Sequence, residues 1–321
     1  MKKEYNEQFR KKFLVGLTLN TTAKEFDKFL EEYAYYIEQV YFSMPLGDKF
    51  HSRIVVQKNF SKKENVELFW ELLEISKKHG VKLDMVLNTV DLTSEDVDSA
   101  FKALADHNIT LDVVTTIDEY YDYLTPHLNG QKIICSYNNA IRSIADIEKL
   151  KHTYDSYVFG NSLMRNLKVH KYVCETLKSK VCLLINNGCS FNCAWCGHST
   201  TTCQETYQRN RKKHSVEYLY AHQSMFPEEL RNDTIRMEYI DTIKISNRSS
   251  GLRYLKNCLD SYINNELKRY IIFNRKNFAL WCKLAWFTPH YLFISFKKIM
   301  EEKEKIYKEV RAQWEEIQKA P

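Results

Sequence analysis

Glycine and proline are scarce in this chain of 321 residues, at eight and five, so long flexible linkers are not expected. No apolar run approaches the roughly 18 residues of a membrane-crossing helix, and no transmembrane segment is expected. The basic opening, "MKKEYNEQFRKKFLVGLTLN", is apolar only from Phe13 to Leu17, too short for the core of a secretory signal. A cytoplasmic location is the expectation, and there clustered thiols bind metal more often than they pair as disulfides. Neither an HExxH sequence nor a Ser/His/Asp arrangement is recognisable, which argues against proteolysis. No RNA-binding module is recognisable either. The net charge of +6 is modest, and it admits an anionic ligand or RNA without arguing for either. What remains, 44% hydrophobic and 27% charged, is the composition of a folded globular protein.

Short β-rich runs recur at Phe13–Asn20, Ile37–Met44, Lys82–Val90, Ile109–Ile117, Lys132–Asn138, Tyr157–Asn161, Lys180–Asn187 and Thr242–Arg248. Amphipathic segments lie between several of them, at Lys63–His79, Ser94–His107, Ala145–Tyr154 and Leu163–Lys178. Eight strands alternating with helices predict an α/β fold, a (β/α)8 TIM-type barrel over residues 1–265. An open doubly wound sheet shares the alternation, but no glycine-rich dinucleotide loop follows the first strand. Residues 266–321 are expected to form a helical C-terminal extension. Within it Ile299, Ile306, Val310 and Ile317 make one apolar stripe. The extension is a candidate surface for a partner, and its aromatic stretch "NFALWCKLAWFTPHYLFISFKKI" is a candidate for a membrane interface.

Barrel enzymes build their sites from loops at the C-terminal ends of the strands. Here the second such end reads "SMPLGDKFHSR". Lys49 and Arg53 can hold a carboxylate or phosphate there, and His51 can transfer protons. The third, fifth and sixth ends offer Asn88, Asn138 and Asn161 as hydrogen-bonding partners for a substrate. The basic run "QRNRKKH" could guide RNA or another polyanion, although such a run is more often a solvated loop.

After the seventh run comes "NNGCSFNCAWCGHSTTTC", with Cys189, Cys193 and Cys196 spaced CxxxCxxC and Cys203 seven residues on. Four thiolates suit either a tetrahedral zinc or a 4Fe–4S cluster. Structural zinc sites usually draw knuckles from separate turns, so four thiols on one loop favour iron–sulfur. The remaining five cysteines read as buried small hydrophobes, with Cys135 able to face the mouth.

The spelling CxxxCxxC, with an aromatic residue before its third cysteine, resembles the radical S-adenosylmethionine signature. In that family the motif follows the first strand, whereas about seven precede it here. A second resemblance fits the order better. "YDSYVFGNSLMRNLKVHKYV", "LLINNGCSFNC" and "SMFPEELR…YIDTIKISNRSSGLRYLKNCLDSY" are similar to the barrel of peptidase family U-32 (collagenase-like) proteins. Their shared elements are an Asn-x-Gly-Cys turn, a Pro-Glu-Glu/Asp-Leu element, a strand ending Lys-Ile-x-x-Arg and a Tyr-containing helix. The likeness spans roughly residues 13–265. It implies cluster-ligand positions for Cys189 and Cys193 and an eighth-strand motif at Lys244 and Arg248. Lys244 then becomes a substrate-binding candidate, and Arg248 joins His51 and Arg53 as a catalytic one. The expected function is an iron–sulfur (4Fe–4S) enzyme modifying, for example hydroxylating, a substrate at the barrel mouth. The alternatives are a radical enzyme using S-adenosylmethionine and a non-catalytic, metal-stapled binding protein. Compact cysteines and Asn247 in place of a common glycine are the two departures from the U-32 pattern.

Overall fold

Period-two alternation sends neighbouring residues of a strand to opposite faces, and these strands are apolar on both. Such strands are stable only when covered on both sides, which a closed barrel wrapped in helices achieves. The computed structural model describes residues 5–50, 60–89, 91–160, 163–186, 205, 208–210, 212–231, 234–246, 251–270 and 295–319. Among them the strands are β1 (Phe13–Gly16), β2 (Ile37–Phe42), β3 (Lys82–Leu87), β4 (Val113–Thr116), β5 (Lys132–Cys135), β6 (Ser156–Phe159), β7 (Lys180–Ile185) and β8 (Ile240–Ile245). Each pairs in parallel with its sequence neighbours, and β8 returns to β1 to close the barrel, with Leu14 opposite Lys244. The expected (β/α)8 architecture is therefore present.

The intervening helices are α1 (Ala23–Tyr33), α2 (Lys63–Lys78), α3 (Ser94–Asp106), α4 (Tyr121–Leu124), α5 (Ile144–Glu148), α6 (Leu167–Lys171) and α7 (Val216–Gln223). Beyond β8 come α8 (Leu252–Asn264) and the long C-terminal α9 (Phe296–Lys319). Thr22 and Thr93 cap α1 and α3 by accepting the amides of Glu25 and Asp96, whose carboxylates bind back to the cap amides. Leu14, Tyr41, Val86, Val113, Ile134, Val158 and Cys182 pack together inside the barrel. Residues of opposite parity, Cys135 among them, pack outward under the helices. Cys135 thus faces the helix layer rather than the mouth. No described helix is long and apolar enough to cross a membrane.

Several boundaries differ from expectation for local reasons. The fourth strand begins at Val113, not Ile109, because the preceding apolar residues close α3. Asn108 takes a left-handed turn at φ 55°. Its amide reaches Ala105 O at 3.0 Å, and that of Ile109 reaches Leu104 O at 2.9 Å, the paired bonds of a Schellman cap. The segment expected as one helix over 163–178 is α6 followed by a π-helical turn, Tyr172–Thr176. After that turn Ser179 donates its hydroxyl to Tyr154 O at 2.7 Å. The helix expected over 145–154 is only α5, since Tyr154 is drawn into the core with its hydroxyl on Asp118 at 2.9 Å.

α9 is locked to the barrel by buried charge. Arg165, just before α6, grips Glu229 with two bonds of 2.6 and 3.0 Å. Lys303 of α9, with no exposed surface, reaches the same carboxylate at 2.5 Å. Burial alone would raise the Glu229 carboxyl, but Arg165 and Lys303 outweigh it and hold it well below its usual range. Burial drives the Lys303 ammonium down, with Arg165 adding to the effect against the pull of Glu229.

Substituting Glu229→Gln should therefore leave two buried cations short of charge and cost about 3–5 kcal/mol in denaturant unfolding. Lys303→Met should cost clearly less, because the Arg165–Glu229 pair survives. Glu229 has a depressed folded pKa, so its contribution is present above the ordinary carboxylate range and is lost as pH falls below it. The stability gap between the parent protein and Glu229→Gln should accordingly narrow below about pH 4.

Candidate functional site at the C-terminal mouth

Strand ends at one rim of the barrel bring polar side chains together. Beyond β3, Asn88 donates its carboxamide to Ser136 Oγ beyond β5 at 2.8 Å. Asn138 completes the link, donating its side chain to Asn88 O at 2.8 Å and its amide to Ser136 Oγ at 3.2 Å. Asn88 and Asn138, chosen from sequence as separate strand ends, thus belong to one half-buried network. The turn after β2, Asp48–Phe50, is fastened beside it, because Thr89 donates its hydroxyl to Lys49 O at 2.5 Å. The Lys49 ammonium pairs at 3.1 Å with Asp96 at the start of α3, where the Thr93 amide helps hold the Asp96 carboxyl below its usual range.

Beneath the rim, inside the barrel, lies a second group. Lys244 points inward from β8, 7% exposed, with its ammonium 3.5 Å from Asp84 of β3 and 4.2 Å from the Tyr41 ring centre. Thr115 of β4 donates its hydroxyl to the Asp84 carboxylate at 2.7 and 2.9 Å, and Tyr41 donates its own to Ile245 O at 2.7 Å. Burial raises the Asp84 carboxyl against the opposing pull of Lys244 and Thr115. Lys244 was expected at this strand by resemblance. Asp84 was not, because one acid in an otherwise apolar β3 carries no motif.

The third group fixes the way out of β7. Asn186 sits in a left-handed conformation at φ 44°, which asparagine tolerates better than most residues. It accepts the Ser246 amide at 3.1 Å and donates to the Tyr254 hydroxyl of α8 at 2.6 Å, while Ser246 donates its hydroxyl to Asn186 O at 2.7 Å. One junction therefore joins the asparagine of the Asn-x-Gly-Cys turn, the Lys-Ile-x-x-Arg strand and the tyrosine helix.

His51, Arg53, Asn161, Arg248 and the cysteines Cys189, Cys193, Cys196 and Cys203 lie outside the described residues. The four described cysteines have other surroundings. Cys135, Cys182 and Cys258 are buried, each thiol pushed up by burial. Half-buried Cys174 donates to Tyr239 O at 3.4 Å. Among the described residues no group of three or more His, Cys, Asp or Glu side chains could hold a metal ion.

No protein-family model matches the chain, and no curated protein sequence matches it. Among solved structures it is similar to a U-32 peptidase, at 11% identity and a TM-score of 0.44, over 76% of this chain and 96% of that one. It is also similar to the tryptophan synthase alpha subunit of Legionella pneumophila, at 8% identity and a TM-score of 0.39, over 86% and 92% of the two chains.

The lumen pair makes a prediction of its own. Lys244→Met leaves Asp84 buried without its cation and should cost about 3 kcal/mol or more. Loss of the cation raises the Asp84 carboxyl further, and a raised carboxyl contributes stability that disappears as pH climbs through its folded value. The deficit of the variant should thus widen from about pH 4 towards neutrality, measured as unfolding free energy against pH.

Proposed function

We propose that the protein is an iron–sulfur enzyme of the U-32 type, acting on a substrate bound at the C-terminal mouth of the barrel. The observation that carries this reading is the junction at Asn186. The chain leaves β7 there on a turn tied to the eighth-strand motif and to Tyr254, and it leads directly into the CxxxCxxC sequence. That order, with the motif after β7 rather than β1, favours the U-32-like reading over a radical S-adenosylmethionine enzyme.

The donor chemistry fits a 4Fe–4S cluster. Cys135, Cys174, Cys182 and Cys258 are committed to buried or carbonyl-bonded positions; Cys189, Cys193, Cys196 and Cys203, clustered on one stretch far in sequence from Cys282, are the proposed thiolate donors. When bound, the cluster would supply one-electron chemistry. The protein's own residues have separate tasks. The Asn88–Ser136–Asn138 network offers hydrogen bonds to a polar substrate, with Lys49 beside it and Asn161 given the same role from its sequence position. Lys244 sets a positive charge beneath the mouth. His51, Arg53 and Arg248 are the proposed proton-transfer and anion-holding groups. Hydroxylation is the modification the resemblance suggests, with an RNA base or another ring as substrate.

Iron and sulfide analysis of anaerobically purified protein, with electron paramagnetic resonance, tests the reading. About four iron atoms per chain are expected, with loss of the cluster signal in Cys189→Ala, Cys193→Ala and Cys196→Ala. Retention of 4Fe–4S in Cys203→Ala would assign a three-thiolate site. Full iron content in the first three variants, or zinc in place of iron, would overturn the proposal.

A further inference from the structure

The opposite end of the barrel carries a feature that the proposed chemistry does not use. Where the strands begin, a funnel of about 560 Å³ opens towards the lumen, lined by the starts of β2 to β8 and the connections before them. That is the size of a small-molecule pocket. The N-terminal face of such barrels ordinarily serves stability alone, and a funnel with that role should have its polar groups internally satisfied.

Most of them are. Lys82 pairs with Glu38 at 2.5 Å and Lys180 with Asp241 at 3.0 Å. Lys12 donates to Ile240 O and Asp241 O at 3.0 and 2.9 Å. Asp112 accepts the Leu83 amide at 2.9 Å, and Asp155 that of Ile133 at 2.8 Å.

Among the described residues, two pairs of lining groups are left without ionic or hydrogen-bonding partners and bear on a ligand. Lys132, opening β5, and Lys178, in the connection before β7, are exposed and make no ion pair among the described residues. They flank β6, whose first residue is Ser156, held in register between Ile134 of β5 and Lys180 of β7. The Ser156 hydroxyl and the carboxamide oxygen of Gln39, both 94% buried as residues, have no hydrogen-bond partner among the described residues. Buried polar atoms left unmatched are uncommon and costly. Here two of them line the same funnel as the two uncommitted ammonium groups.

We propose that this funnel is a binding site for a small phosphomonoester carrying hydroxyl groups, a sugar phosphate by chemical class. Lys132 and Lys178 receive the phosphate at the rim. The hydroxyls of the ligand meet Gln39 and Ser156 at the floor, where a small side-chain rotation exposes the carboxamide. A bare anion satisfies only the rim, and a neutral sugar only the floor. The site is separate from the mouth and does not depend on the iron–sulfur reading.

Isothermal titration of the full chain with ribose 5-phosphate, ribose and inorganic phosphate tests this. The sugar phosphate should bind at least about tenfold more tightly than either fragment, since two sets of contacts contribute. The double variant Lys132→Gln/Lys178→Asn, with asparagine chosen for the left-handed backbone at Lys178 (φ 57°), should weaken binding by about tenfold or more at an unchanged thermal midpoint. Gln39→Leu/Ser156→Ala should remove the advantage of the sugar phosphate over inorganic phosphate. Absence of ribose 5-phosphate binding, inorganic phosphate binding equally well, or undiminished binding in the lysine double variant would each overturn the proposal.

Discussion

One carboxylate holds three distant parts of this chain together. Glu229 is fully buried and is met by Arg165 from the segment after β6 and by Lys303 from α9. It also accepts the amide of Phe226 at 2.6 Å, and so fixes its own turn, Pro227–Leu230, in the connection before β8. The guanidinium donates onward to His222 O and Ser224 O at 3.1 and 2.7 Å, satisfying the end of α7. Burying two cations with one anion is costly unless every donor finds an acceptor. The carbonyls at the end of α7 are what make the arrangement tolerable.

A second buried pair, Asp84 with Lys244, does a different job. It spans the lumen between β3 and β8, with the Thr115 hydroxyl donating to Asp84 and the Tyr41 ring lying against the Lys244 ammonium. Hydrophobic residues of similar volume would fill a barrel interior at least as stably. Under the proposed function, charge kept in this place would serve the mouth above it. The triad around Glu229, by contrast, lies among the helices and serves assembly.

Much of the architecture was legible in the sequence because strand and helix periodicities differ and because eight units were countable. Strand ends were less legible. The polar runs at Asn88 and Asn138 read as strand continuations, yet these residues leave the ladder to bind one another and Ser136, a long-range outcome that no local pattern encodes. Ile109 misled for the opposite reason, since a Schellman cap borrows an apolar residue that alternation assigns to a strand. For the site, the motif asparagine and tyrosine could be picked out by resemblance, but their meeting at 2.6 Å could not. Asp84 and Glu229 illustrate the general difficulty. A buried acid differs from a surface acid only in its partners, and those lie 160 and 64 residues away in sequence.

The docking of α9 also has a temporal side. On the ribosome, Lys303 is made 74 residues after Glu229. At synthesis rates of roughly 5–20 residues per second, that is a delay of about 4–15 s. Throughout that interval Arg165 and Glu229 already exist, while the surface of α7 that α9 will cover stands open. The chain therefore passes through a stage in which Arg165 alone counters the Glu229 carboxylate, and the arrival of α9 completes the triad.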